Sequence, residues 1–285
     1  MADPSDVVTI DRLELPAHLA ATLVLVRHGE STYVAEGRFQ GRQDVPLSEL
    51  GRRQAVLVAE RLAHRDERTP LPIPAGLPLK VWHSPLSRAA ETASIIAGDQ
   101  PGAVEAQMDD RLTEIAQGEW EGQPMQVVRT RWANELAAWR STPTLSHAPG
   151  GESLVDAVAR VRVALSNVVA ELAAGQTAAG GDGRPAAYDP VPGYTTVAKT
   201  SDTPAEPWGV IVAHDGIFRL TPITLLRVPL ERFWSFPFNL ASITVVTLHS
   251  GVAALRAHNL SDHLEPLAHE DRSAQESRGE RRGAL

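Results

Sequence analysis

The chain has 285 residues, 43% of them hydrophobic, which is enough for one large domain with a sizeable core. A formal charge of −8 argues against a general nucleic-acid-binding face, and the lack of cysteine excludes disulfides, thiol catalysis and cysteine-ligated zinc. No apolar run approaches the roughly 18 residues of a membrane span and no signal-peptide pattern opens the chain, so no membrane association and a cytoplasmic location are expected.

Residues 1–20 read as a leader outside the core, with a short ordered piece at 7–15. The run 21–26 (ATLVLV) has the continuous apolar character of a buried parallel strand and ends in Arg27-His28-Gly29-Glu30. Ser48 is an N-cap candidate, and Ala55, Val58, Ala59 and Leu62 follow at helical spacing, so 48–63 is predicted as an amphipathic helix. A proline-rich loop, 69–78, leads to a second strand at 79–82. Ser84-Pro85 is expected to open a helix that runs to about residue 97. Residues 123–139 read as one helix, with Met125, Val128, Trp132, Leu136 and Trp139 on a single face. Residues 152–172 read as a second, with Leu154, Val158, Val161, Leu165, Val168 and Leu172 as its core stripe.

The stretch 175–207 is rich in Gly, Pro, Ala and Thr without a period, and is expected to be a flexible surface insertion. Residues 208–213 (WGVIVA) form another buried-strand run, ending in His214. A helix over 216–227 should be kinked or split by Pro222. Segments 242–248 and 252–258 read as a closing hairpin about Ser250-Gly251, and 266–285 as a disordered tail. The domain itself is expected over 21–265. Alternating strands and helices predict an α/β three-layer sandwich, a mainly parallel central sheet with helices on both faces. In such sheets ligands bind at the carboxyl ends of strands. His28 and His214 both fall there.

Arg27 offers a planar fork suited to phosphate oxygens, Gly29 lets backbone approach a ligand, and His28 offers a nucleophilic ring nitrogen. The segment LVLVRHGESTYVAEGRFQGRQDVPLSELGRRQA (23–55) resembles the opening of the histidine phosphatase superfamily, in its phosphoglycerate mutase-like branch. The resemblance continues in HSPLSRAAETA (83–93), RLTEIAQGEWEG (111–122), PGGES (149–153) and VIVAHDGIFR (210–219), in the family's order.

That resemblance implies a phosphoglycerate mutase-like fold. It makes His28 the nucleophile that becomes phosphohistidine, Arg27 and Arg88 phosphate ligands, Glu114 the proton donor to the leaving alcohol and His214 a further phosphate-pocket group. It implies a small phosphorylated substrate, no metal and no cofactor, and leaves a homodimer open. Two departures from the pattern stand out. Val34 occupies a position where the family often has a phosphate-contacting Asn, leaving Gln40 or the Gly41 amide to supply that contact. His214 is followed by Asp215, as in the acid-phosphatase branch, where the Asp is the acid; Asp215 therefore rivals Glu114. Asp215 could equally be a carboxylate stabilising a helix N-terminus.

Ser153 is a cap candidate for the helix after it, with Glu152 adding a carboxylate at the same end. Of the other arginines, Arg38, Arg42, Arg129 and Arg131 are expected mostly in solvent, and Arg140 is the first choice to reach the rest of the substrate. His83, His147, His249, His258 and His263 are expected in packing or surface positions, and Trp82, Trp132 and Trp139 in the core. The expected activity is a phosphomonoester hydrolase. The alternatives are a cofactor-dependent phosphoglycerate mutase and, last, a non-catalytic phosphate-binding module. The segment after Glu114, IAQGEWEGQPMQVV, lacks the basic, Tyr-containing stretch of the mutases.

Overall fold

Strand β1 (Ala20–Arg27) lies between β4 (Trp208–Ala213), with which it runs parallel, and β5 (Ile243–His249), with which it is antiparallel. The full sheet has six strands in the order β3-β2-β4-β1-β5-β6, where β2 is Val81–His83, β3 is Ala106–Met108 and β6 is Val252–Leu260. The pairs β3-β2, β2-β4 and β4-β1 are parallel, whereas β1-β5 and β5-β6 are antiparallel, so β5 alone runs against the other strands. This computed structural model describes residues 12–64, 69–178 and 206–268. Residues 1–11 of the expected leader, 179–205 of the expected insertion and 269–285 of the expected tail lie outside them, but the leader expectation is corrected at its end, where Leu13 and Leu19 are buried in the core.

The continuous apolar run in β1 is needed because both sheet faces are covered. Leu23 and Leu25 pack into a core with α6 (Leu154–Ala178) and α7 (Asp215–Leu226). Val24 and Val26, one residue out of step, pack into a second core with α2 (Glu49–Ala63) and α3 (Ser87–Gly98). The two-residue period of the strand thus sorts its side chains into two layers of helix. Among the described residues no helix is long and apolar enough to cross a membrane.

Several elements differ from the sequence expectation. Helix α3 begins two residues after Pro85, not at it. The Ser84 amide continues the strand register by donating to Val212 O at 3.1 Å, and Leu86 is extended, with φ −64 and ψ 132. The single helix expected over 123–139 is two, α4 (Met125–Arg131) and α5 (Ala133–Ser141), broken where Trp132 adopts φ −124 and ψ 41. Val127, Val128, Thr130 and Trp132 are weak helix formers, and they precede or form the break. Helix α6 runs on to Ala178, so the first residues of the expected insertion are helical; Ala173, Ala174 and Ala178 favour that extension. Pro222 neither splits nor ends α7, which is continuous from Asp215 to Leu226. Its neighbours Ile217, Phe218, Leu220 and Ile223 are fully buried, and this packing outweighs the lost hydrogen bond. Strand β3 adds an edge to the expected sheet; with three residues, mostly exposed, it has no apolar run that would announce it. The hairpin turn is as expected, with Ser250 at φ 51 and Gly251 at φ 78.

The loop after β1 is bound to the start of α2. The Ser48 hydroxyl caps the helix by accepting from Gly51 N at 3.0 Å and donates to Glu30 Oε1 at 2.7 Å. Glu30 N donates to Gln54 Oε1 at 2.8 Å. The two backbones meet where neither residue has a side chain: a Cβ on Gly51 would lie 1.9 Å from Glu30 O, and one on Gly29 2.3 Å from Gly51 O. Gly51→Ala is therefore expected to cost about 1–3 kcal/mol, since backbone cannot step aside cheaply. Gly98→Ala, which meets open space at the end of α3, should be neutral or slightly stabilising. Thermal unfolding of the two variants checks the contrast.

Candidate active site

Parallel pairing sets two histidines side by side. Arg27 is opposite Ala213, and the next residue on each strand is His28 and His214. The His28 amide donates to Ala213 O at 3.0 Å, and the two imidazole rings lie 5.0 Å apart, edge to face. They stand at the carboxyl end of the sheet, beside a cavity of about 290 Å³.

His28 is only 2% exposed, and its Nδ1 lies 2.6 Å from Gly29 O. A carbonyl oxygen can only accept, so Nδ1 carries the proton and Nε2 carries the lone pair. Burial, then the charges of Arg88 and Arg27, hold this imidazole well below its ordinary range, so the ring is neutral near pH 7. His214 is depressed for the same first reason, burial, reinforced by Arg88. Its Nε2 is 2.8 Å from the buried Ser84 hydroxyl, at the end of β2, and its Nδ1 is without a hydrogen-bond partner.

Two guanidinium groups face the histidines. Arg88, fully buried on α3, donates to Gly41 O at 2.8 Å and Gln43 O at 3.0 Å. Gln40, its amide oxygen turned to the guanidinium, accepts from Arg88 Nε at 2.8 Å. Desolvation brings Arg88 down to about 10, still protonated at neutral pH. Arg27 Nη1 donates to Phe238 O at 2.5 Å and stands 3.7 Å from Asp215 Oδ1. Gln40 lines the cavity, while Gly41 contributes its carbonyl to Arg88. Val34 lines the cavity too, as an apolar group.

The two carboxylates have different surroundings. Glu114 accepts from its neighbour Ile115 N at 2.8 Å and from Gly216 N at 3.2 Å. Burial of the carboxyl pushes it above the usual carboxylate range, and the charge of Asp215 adds to that. Gly216 must lack a side chain, because a Cβ there would lie 2.5 Å from Glu114 Oε1. Asp215, the first residue of α7, pairs with Arg219 Nε at 2.9 Å as well as facing Arg27. The loop carrying Glu114 is held by Arg160 of α6, which donates to the carbonyls of Arg111, Thr113 and Glu114 at 2.7, 2.6 and 3.2 Å. Glu152 orients that arginine through contacts of 2.8 Å on both nitrogens. Ser153 accepts from Asp156 N at 3.1 Å, the cap read from the sequence.

Arg140 is corrected: it is exposed and does not line the cavity. One residue on a helix is a turn of about 100°, and it is Trp139 that faces inward. Arg38 lines the cavity instead, together with Phe233 and Trp234 from a 3-10 turn at Leu230–Ser235. Sequence reasoning missed Phe233, Trp234, Ser84 and Arg160. Ser84 lay within a quoted motif; the other three carried no local signal. A second cavity, of about 410 Å³, lies by the other end of α2 and contains none of these groups.

A family model described as the histidine phosphatase superfamily, branch 1, matches residues 23–180 and 196–261. The chain is 35% identical over 215 residues to glucosyl-3-phosphoglycerate phosphatase of Mycobacterium tuberculosis, covering 75% of this chain and 79% of that one. It is 30% identical over 244 residues to phosphoserine phosphatase 1 of Hydrogenobacter thermophilus, covering 85% and 93%. Among solved structures, the mycobacterial glucosyl-3-phosphoglycerate phosphatase with inorganic phosphate matches with a TM-score of 0.63 at 30% identity, covering 85% of this chain and 98% of that one. Bacillus stearothermophilus YhfR matches with a TM-score of 0.65 at 25% identity, covering 86% and 100%.

The shifted groups give a pH signature. Both histidines bind fewer protons folded than unfolded, so their stability contribution is complete above about pH 6.5 and is lost as pH falls through the folded values. Glu114 has the opposite sign: its contribution is complete below the unfolded carboxylate range and is lost as pH rises through its raised folded value. Tm measured between about pH 7 and pH 5 should decline more gently in His28→Asn than in the wild type. Identical slopes would show that His28 is solvated.

Proposed function

The chain belongs to branch 1 of the histidine phosphatase superfamily, and we propose that it hydrolyses a small phosphomonoester in two steps through a phosphohistidine at His28. The observation that carries this reading is the 2.6 Å contact from His28 Nδ1 to Gly29 O, which commits Nε2 to be the lone-pair nitrogen. In the first step Nε2 forms a bond to phosphorus as the ester oxygen leaves in line. Glu114 gives its proton to that oxygen, so the leaving group departs as an alcohol. In the second step water forms the new P–O bond, Glu114 takes back a proton and the P–N bond breaks, releasing phosphate and free His28. Arg27, Arg88 and the partnerless Nδ1 of His214 stabilise charge on the equatorial oxygens.

The enzyme is a phosphatase, as its named relatives are. The mutase alternative needs a second cationic cradle for an intermediate with two phosphates. Beyond Arg27 and Arg88, the cation lining the cavity is Arg38, already engaged by Glu36 at 2.6 Å and Gly122 O at 2.8 Å. The non-catalytic alternative is disfavoured by the joint presence of His28, Arg27, Arg88, Glu114 and His214 around one cavity.

Rapid acid-free quenching during turnover of an aryl phosphate is expected to trap an acid-labile, base-stable phosphoenzyme, which His28→Ala abolishes. Absence of that species in the wild type would remove the covalent mechanism. Glu114→Gln should lower kcat by about 10²–10⁴-fold, and Asp215→Asn by much less. The opposite ranking would transfer the acid role to Asp215.

A further inference from the structure

The cavity that holds His28 also has an aromatic wall. Trp139, Phe233 and Trp234 all line it. Their rings touch in every pairing: Trp139–Phe233 at 5.6 Å, Trp139–Trp234 at 5.6 Å and Phe233–Trp234 at 4.7 Å between centroids. Trp139 and Phe233 are buried, whereas Trp234 is 40% exposed. Arg219 packs on the cluster, with its guanidinium 5.1 Å from the Trp234 ring centroid and its Nε on Asp215. Trp234 is therefore a pre-positioned face at a phosphate-binding cavity.

Charge narrows what can meet that face. Arg27 and Arg88 are committed to the phosphoryl group, and Arg38 to Glu36 and the Gly122 carbonyl. Asp215 also lines the cavity, its charge already met by Arg27 and Arg219, and Glu114 holds the proton it donates, so a second anion on the substrate would meet, among the described residues, no uncommitted lining cation. Gln40 and Gln117 are neutral.

Resting on the hydrolase reading above, we propose that the leaving group is an uncharged ring stacked on Trp234, which Trp139 and Phe233 hold in place, so that the substrates are ring-bearing monoesters, sugar or aryl-containing, rather than phosphorylated carboxylic acids. Stacking uses the flat C–H or π face common to both ring types. Trp234 is then the residue that sets specificity.

Four esters with alkoxide leaving groups separate the contributions in steady-state assays on the full chain. Benzyl phosphate carries an aryl ring, glucose 6-phosphate a sugar ring, glycerol 3-phosphate neither ring nor added charge, and 3-phosphoglycerate a carboxylate. At least one ring ester should exceed glycerol 3-phosphate in kcat/KM by about tenfold or more, and 3-phosphoglycerate should be the poorest. Which ring ester ranks first assigns the ring type. Trp234→Ala should collapse the ring-to-glycerol ratio, mainly through KM, and Trp234→Phe should restore most of it. A preference for 3-phosphoglycerate, or an unchanged ratio in Trp234→Ala, overturns the proposal. Calorimetric binding to His28→Ala makes the result independent of turnover: 3-phosphoglycerate binding tighter than both ring esters overturns the ring proposal, whereas a missing phosphoenzyme in the wild type overturns the hydrolase reading instead.

Discussion

The parallel pairing of β1 with β4 is the constraint from which the site follows. With Arg27 opposite Ala213, each chain leaves the sheet on the next residue, and both next residues are histidine. The hydrogen bond from His28 N to Ala213 O makes the juxtaposition a property of sheet register rather than of loop conformation. A one-residue slip would reverse every side chain of β1 between the two helical layers, exchanging Leu23 and Leu25 with Val24 and Val26. The same packing that fixes the register therefore fixes the histidine pair. The third strand end, at Ser84 just past β2, closes the set by orienting His214.

Burying charge at such a point needs organised partners. Arg88 is fully buried yet spends its donors on Gly41 O, Gln43 O and Gln40, all neutral acceptors, so that no carboxylate is bonded to it directly. This differs from an ion pair, in which a carboxylate would cancel the field that a phosphoryl group is to feel. The glycines serve the same end. Gly29, Gly51 and Gly216 stand where a methyl group would collide with backbone or with the Glu114 carboxyl, so the loops can close tightly around the strand ends.

What could be read in the sequence was what is local. The apolar runs at 21–26 and 208–213 found the two central strands because burial on both faces leaves no alternation to mislead. Motif resemblance then brought His28, Arg88, Glu114 and His214 to one end of the sheet, where they are found together. Elements decided by tertiary packing were less legible. Pro222 should have interrupted α7, but helix neighbours buried on most sides hold it continuous. Arg140 and Trp139 are adjacent in sequence, and only the packing of Trp139 on Phe233 shows which one faces the cavity. Phe233 and Trp234 sit on a short 3-10 turn nearly a hundred residues further along the chain, a contact with no periodic or motif signature.

The rivalry between Glu114 and Asp215 illustrates how environment divides two like groups. A general acid needs a proton to give at neutral pH, and so needs surroundings that oppose its negative charge. Asp215 stands between Arg27 and Arg219, two fixed cations, at the positive end of α7. Glu114 is desolvated, and its polar contacts are backbone amides, with Asp215 nearby as a repelling charge. Asp215 thereby acts on Glu114: its carboxylate, held in place by two arginines, helps keep the Glu114 proton on. The His-Asp sequence that makes Asp215 look like the acid places, in this geometry, a negative charge that favours the protonated form of Glu114. Asp215 is also tied to the aromatic wall of the cavity, because Arg219 bonds Asp215 and stacks on Trp234 at the same time.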